Sequence, residues 1–345
     1  MNSTKSRRLP AEWEPQSFVQ FTFPHKNSDW AYMYPEVVAC FLKIIETSAK
    51  FQPVLVGCHS INKVSKLFKN KTPFPIHFVK VKSNDTWARD HGAITIYQGN
   101  DPLLLDFTFN GWGKKFEASL DNQLTAELTK TIWRQNQIET QIFVLEGGAI
   151  DSNGLGTLLT TTKCLLSENR NPDRSQQQIR HHLEQVFGTR KVLWLNHGYL
   201  AGDDTDSHID TLARFCKANT IAYVACDDPS DEHYLQLQRM ESQLKSFMNE
   251  DGDCFDLVPL PFPEACYDHE GSRLPATYAN FLILNGAVLV PTYRVPQDAK
   301  ALEIIGQLFP DRQVIGIDCV ALIQQHGSLH CVSMQYPIGV SLTPS

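Results

Sequence analysis

No stretch of the 345-residue chain approaches the ~20 consecutive apolar residues that a transmembrane helix needs, so no membrane partner is expected. The opening segment, MNSTKSRRLPAEWEPQ, is polar and lacks the apolar core of a signal peptide. Among nine cysteines no two form a CxxC pair, so neither a zinc knuckle nor a thioredoxin-type site is supported. The odd cysteine count and the missing leader point to free thiols in a reducing cytoplasm. Basic charge is scarce too: 31 Lys and Arg face 38 Asp and Glu, a net of −7. A nucleic-acid partner would need a basic face and is not expected. A cationic small molecule drawn into an acidic cleft fits that balance. Linkers, low-complexity tracts and charge runs are also missing, and residues 1–345 read as one domain. With 42% hydrophobic and 20% charged residues the chain can bury a sizeable core. The number of subunits is not legible, and a homo-oligomer is compatible with the sequence.

What is present is a recurring order of elements: two short strands, a helix, then another strand. In YANFLILNGAVLVPTY (278–293) two β-rich runs flank Asn285-Gly286, a hairpin signal because both turn positions tolerate positive φ. Ala299, Leu302, Ile305 and Leu308 then recur at helical spacing, and RQVIGID (312–318) reads as a strand. Similar units span about 93–145, with a helix near 119–135, and about 156–195, where TLLTTTKCLL (157–166) supplies the strands. Another spans about 210–260. The last pairs both chain ends, 331–337 with 17–57. Five such units, one closed by the termini, suggest a pseudo-symmetric ring. The alternative is an ordinary mixed α/β domain.

The stretches joining these units hold most of the unusual polar residues. They are Trp87-Ala88-Arg89-Asp90-His91-Gly92, Glu146-Gly147-Gly148, Asp203 to Asp210, and His326 to Cys331. Taken singly, Cys331 could be a small core residue, His208 a satisfied histidine and Asp90 a turn cap. Taken together, equivalent connections of a ring lie at one end and would gather a thiol, an imidazole and several carboxylates. Carboxylates raise a neighbouring thiol's pKa, which would hinder a protease-like nucleophile. They make sense if the substrate is a cation: a planar guanidinium matches carboxylates two N–H groups at a time and stabilises the thiolate it meets.

These segments closely resemble the agmatine deiminase family, related to the bacterial type of peptidylarginine deiminase. The match runs from about Leu9-Pro10-Ala11-Glu12-Trp13-Glu14-Pro15 to Gln335-Tyr336-Pro337. It includes Trp87-Ala88-Arg89-Asp90-His91-Gly92, Leu145-Glu146-Gly147-Gly148, Thr160 to Leu166 leading into Asn169-Arg170-Asn171-Pro172, Asp204 to Asp210, Ala279-Asn280-Phe281 and His330-Cys331. The resemblance implies a five-bladed α/β propeller of ββαβ units and a mechanism without metal or other cofactor. It implies Cys331 as nucleophile, His208 as acid/base, Asp90 and Asp210 as the guanidinium clamp and Glu146 as a further active-site carboxylate. Trp87 and Asp204 are matched to the rest of the substrate, its alkyl stem and terminal amine. The implied reaction converts agmatine to N-carbamoylputrescine and ammonia, which implies a place in putrescine synthesis.

The chain departs from the family in three places. His326-Gly327-Ser328-Leu329 replaces a glycine-rich run, Ala93 replaces a proline, and Ala149-Ile150-Asp151-Ser152-Asn153 replaces the usual spacing after Glu146. Other readings are deimination of a C-terminal arginine on a peptide, guanidinium binding without turnover, and a metal-dependent hydrolase using Asp203, Asp204, Asp206, His208 and Asp210. A nucleophilic role for Cys331 leads us to expect alkylation there ahead of the other eight thiols.

Overall fold

The computed structural model describes residues 6–343; Met1–Lys5, the start of the polar N-terminal segment, lie outside the described residues. The chain forms a mixed α/β fold with five separate sheets. Each sheet is built around one repeated unit. In the first, Ile94–Gln98 and Asp101–Thr108 pair antiparallel, the chain crosses over through Leu124–Thr129, and Gln137–Val144 returns parallel to the middle strand. The second uses Ile150–Ser152, Thr157–Thr161, the helix Gln176–Phe187 and Lys191–Leu195. Ala213–Lys217, Thr220–Val224, the helix Tyr234–Ser246 and Asp256–Leu260 make the third. The fourth comprises Leu282–Ile283, Ala287–Thr292, the helix Gln297–Leu308 and Gln313–Asp318. In the fifth, Ser333–Pro337 pairs with Gln16–Thr22, the helix Tyr34–Ser48 follows, and Val54–Cys58 lies parallel to Gln16–Thr22.

Burial follows the residues of each strand. The first strand of every unit is largely buried, whereas the third strands that begin at Gln137, Lys191, Asp256 and Gln313 are only partly buried and Val54–Cys58 is buried throughout. A strand covered on both faces must be apolar throughout, and a half-covered one needs only alternate apolar positions. Helix ends are set locally: Ser175 and Gln178 form a capping box, and Gly188 ends the same helix in the left-handed region at φ 68°.

Four expectations need correcting. The run 157–166 is not all strand: it turns after Thr161, whose hydroxyl accepts from Cys164 N and caps the short helix Thr162–Leu165. Threonine suits a strand and a helix cap alike, so composition did not separate the two. The first strand of that unit is instead Ile150–Ser152. The helix near 119–135 contracts to Leu124–Thr129 after a 3-10 turn at Asp121–Gln123. Asn285-Gly286 does form a hairpin, but neither residue has positive φ. The Asn285 side chain accepts from Gln16 N and donates to Gln16 O, both at 2.8 Å, tying this turn to the neighbouring unit. Two strands were not foreseen: Arg7–Arg8 joins Ile94–Gln98, and Ile76–Lys80 joins Val54–Cys58. Among the described residues no helix is long and apolar enough to cross a membrane.

Candidate active site

Each unit's buried first strand is entered through a turn, and these turns converge. Asp90 lies in the short helix Ala88–His91 ahead of Ile94, and Glu146 precedes the turn Gly147–Ala149 ahead of Ile150. His208 and Asp210 flank the start of the turn Ile209–Thr211 ahead of Ala213. Cys331 stands two residues before Ser333. The fourth unit contributes Asn280, just before Leu282, a residue to which sequence reasoning gave no role. The equivalence of the connections was the signal that could have found it.

The convergence is tight. His208 Nδ1 lies 3.7 Å from Asp90 Oδ1, and His208 Nε2 lies 4.0 Å from Glu146 Oε2. Cys331 Sγ approaches Asn280 Oδ1 at 3.4 Å and Asp210 Oδ2 at 3.9 Å. Gly148 sits at the centre. A methyl group built on it would come within 2.6 Å of His208 Nδ1, 2.9 Å of Asp90 Oδ1 and 3.1 Å of Asp210 Oδ2. Asp90 is oriented by Trp112 Nε1, which donates to Oδ2 at 2.9 Å, and by Gly148 N, which donates to Oδ1 at 3.0 Å. Asp210 Oδ1 and both His208 ring nitrogens are buried without a hydrogen-bond partner.

A cleft with about 430 Å³ of empty space, part of it open to solvent, leads to Cys331. Its wall carries the carboxylates of Asp29, Asp85, Asp90 and Asp204, the aromatic rings of Trp87, Trp112 and Phe116, and His326, with no lysine or arginine. Trp87, Asp90, Asp204 and Cys331 thus share one cavity, with His208, Asp210 and Glu146 packed behind it. The arginines that could have met a substrate carboxylate lie elsewhere. Arg89 bonds Gln335 at 2.6 Å, Arg273 pairs with Asp231 at 2.7 Å, and Arg294 pairs with Asp318 at 2.7 Å.

Burial and charge set the proton states. Burial, reinforced by Asp210 and Asp90, pushes the Cys331 thiol well above its ordinary range, and bonds from Ser328 and to Asn280 offset only part of this. Burial also pushes Asp90 up to about 6, against the pull of His208, with Asp210 and Glu146 adding to the rise. For His208 burial opposes the charged form, but Asp90, the Cys164 sulfur and Glu146 outweigh it and raise the imidazole to about 10. Burial likewise lifts Asp204, to about 6. Alkylation ahead of every other thiol is therefore not expected for Cys331 in the free protein. Cys254 is exposed and Cys266 partly so, whereas Cys331 is buried.

The acidic run 203–210 is not a ligand set for a metal. Asp203 accepts from Thr205 and Ser207 within its own loop, Asp206 pairs with Lys115 and Arg170, and Asp210 pairs with His330. Glu146, Cys164 and His208 do come within 4.8 Å of one another. Arg170 Nε, however, donates to both Glu146 oxygens at 2.9 and 3.0 Å, so a fixed cation already occupies that carboxylate.

Comparison with known proteins gives the family of the chain. Residues 8–337 match the sequence profile of the Porphyromonas-type peptidyl-arginine deiminases. The chain belongs to that family. A solved structure from Porphyromonas gingivalis, provisionally described as an arginine deiminase, is 49% identical, with TM-score 0.91 over 97% of this chain and 99% of that one. A cysteine-to-serine variant of C. jejuni agmatine deiminase with substrate bound is 39% identical, with TM-score 0.91 over 97% of both chains. Agmatine deiminase of Pseudomonas aeruginosa is 31% identical, covering 96% of this chain and 95% of that protein.

In this member of the Porphyromonas-type family, Arg170 is the largest omission from the sequence reading. Its Nη1 donates to Asp206 at 2.6 Å and its Nη2 to the Thr205 carbonyl at 2.8 Å, so one side chain joins Glu146 to the loop that carries His208. Arg170 and Glu146 side chains are both fully buried. Arg170→Ala leaves that carboxylate without its cation and lowers stability by about 3–5 kcal/mol. The midpoint and slope of urea unfolding check this. Arg170→Lys recovers only part, because one ammonium cannot span three acceptors in fixed directions. Unchanged stability in the alanine variant would contradict this account.

Proposed function

We propose that this chain is an agmatine deiminase, a hydrolase of the C–N bond of a guanidinium group that yields N-carbamoylputrescine and ammonia. The observation that carries the substrate choice is the wall of the Cys331 cavity, with four carboxylates and neither lysine nor arginine. Such a wall suits a substrate cationic at both ends. A guanidinium lies between Asp90 and Asp210, the alkyl stem against Trp87, and the terminal ammonium near Asp204.

In this reading Cys331 loses its proton to solvent as the substrate cation arrives, and the thiolate attacks the guanidinium carbon. His208, charged near neutral pH, protonates the departing nitrogen, and ammonia leaves. The neutral imidazole then takes a proton from water, whose oxygen attacks the thiouronium carbon; the adduct expels the sulfur, and its hydroxyl proton passes to that sulfur to restore the thiol and leave the ureido product. Glu146 stabilises the imidazolium from behind. No metal or other cofactor enters the scheme. We further infer that the five sheets are the blades of one pseudo-symmetric propeller and that residues 1–345 act as a single catalytic domain. The parallel-antiparallel order common to the sheets and the pairing of Gln16–Thr22 with Ser333–Pro337 support this. A reducing cytoplasm is the compartment we assign, in keeping with nine free cysteines.

The competing substrate is a peptide ending in arginine, whose carboxylate needs a cation; His326 is the one group in the wall able to supply it. A panel of agmatine, free arginine and arginine-terminated peptides, read by ammonia and ureido-group formation, decides between them. Agmatine is expected to have the highest kcat/KM. Asp204→Asn should raise KM for agmatine about tenfold with kcat little changed, as loss of a charge pair to the tail requires. Preference for the peptide, or turnover lost to a chelator but retained in Cys331→Ala, rejects this reading.

A further inference from the structure

One buried side chain in the site has no part in the scheme above. His330 lies between two carboxylates: its Nδ1 is 2.7 Å from Asp210 Oδ2 and its Nε2 is 2.8 Å from Glu12 Oε2. Carboxylate oxygens accept, so both bonds exist together only when both ring nitrogens carry hydrogen. Glu12 is itself fixed. Arg214 Nη2 donates to its Oε2 at 2.6 Å, Ile283 N donates to its Oε1 at 2.8 Å, and Arg89 Nη2 stands 4.0 Å away. His330 N is also held, donating to Asn280 Oδ1 at 2.9 Å, the atom that meets Cys331 Sγ.

We propose that His330, held as an imidazolium by Glu12, is a positioning residue that keeps Asp210 ionised and turned toward Cys331. The proposal deepens the deiminase reading and rests on it for the kinetic half of its test. Asp210 and Asp90 make the argument quantitative, because they are two buried carboxylates of one site. The groups facing Asp210 are His330, His208, Arg214, Arg89, Asp90 and Cys331. Burial raises both carboxyls. The hydrogen bond and charge of His330 reverse the effect at Asp210, which is held below the ordinary carboxylate range. Asp90, with no imidazole hydrogen-bonded to it, stays near 6. Without His330, Asp210 loses the largest effect opposing its burial and should rise toward the range of Asp90, with His208 and Arg214 still holding it down in part. A deiminase clamp would then lose both carboxylates in the same pH interval.

The test uses His330→Gln, whose amide can still donate to Asp210 but carries no charge, and Glu12→Gln, which keeps acceptor and shape but removes the counter-charge. For each, kcat/KM for agmatine should fall at least tenfold near about pH 6 yet less than threefold near about pH 8, because Asp210 is ionised again at the higher pH. The acid limb should also steepen from loss of one proton-sensitive group to loss of two. In protein labelled with ¹⁵N-histidine, His330→Gln should remove one imidazolium pattern, that of a ring with hydrogen on both nitrogens. Equal loss at both pH values, an unshifted acid limb, or a spectrum in which His330→Gln removes a neutral imidazole overturns the proposal. Should His330→Gln not fold, Glu12→Gln carries both measurements alone. A parent protein that releases no ammonia from agmatine defeats the deiminase reading instead, and the spectra still decide the charge on His330.

Discussion

Cys331→Ala will release no measurable ammonia from agmatine, a loss of about 10⁴-fold or more in kcat, while the protein remains folded. The sulfur's hydrogen-bond contacts are Asn280 Oδ1 at 3.4 Å and Asp210 Oδ2 at 3.9 Å, and on its other side is the cavity. Alanine there deletes little volume and leaves no charge unpaired. The thiol is held protonated by burial and by the two acids, so its removal also relieves no repulsion in the free protein. Agmatine should still bind, because the clamp of Asp90 and Asp210 is intact. Single-turnover ammonia assays, calorimetric binding and a thermal unfolding midpoint together check the prediction. Normal turnover in this variant would remove the nucleophile from the scheme.

Gly148→Ala should cost about 10²-fold in kcat/KM, the scale on which a displacement of about 1 Å is felt in a preorganised site. The backbone at Gly148 does not require positive φ, so the chain itself can accept alanine. The added methyl instead points into the gap between His208, Asp90 and Asp210, at 2.6, 2.9 and 3.1 Å from their polar atoms. Real Cβ atoms do not tolerate the first two distances, so the imidazole or a carboxylate must move. Because the strain falls on side chains facing a cavity, the loss should appear in activity far more than in the unfolding midpoint. Retention of activity within about threefold of the parent would show that the three groups are not preorganised as described.

The unit order was legible because it rests on local signals: alternating apolar runs, helical spacing as at Ala299 to Leu308, and turn residues between them. The connections that carry Asp90, Glu146, His208 and Cys331 were legible because unusual polar residues stand out against that regular background. The charge partners were not. Arg170 and Glu146 are 24 residues apart, and His330 and Glu12 are 318 apart. Neither pairing leaves a periodicity or a turn signature, since an ion pair is specified by the folded geometry and not by neighbours in the chain. Glu12 shows the difficulty best. In LPAEWEP it reads as one acid in a polar segment, yet it is buried against Arg214 and His330, which hold its carboxyl well below the usual range against the cost of burial. The expected alkylation order is revised for a related reason. A nucleophile's reactivity belongs to the complex with its cation, whereas exposure, which decides labelling in the free protein, favours Cys254.

Pairing of Gln16–Thr22 with Ser333–Pro337 has a consequence for the timing of synthesis. A ribosome making this chain produces Glu12 and the strand after it more than three hundred residues before their partners emerge. Until about residue 337 is free, the earlier strand has an unpaired edge and the nucleophile does not yet exist. Assembly of the site therefore waits on a contact between residues more than three hundred positions apart, a closure of high contact order that is correspondingly slow.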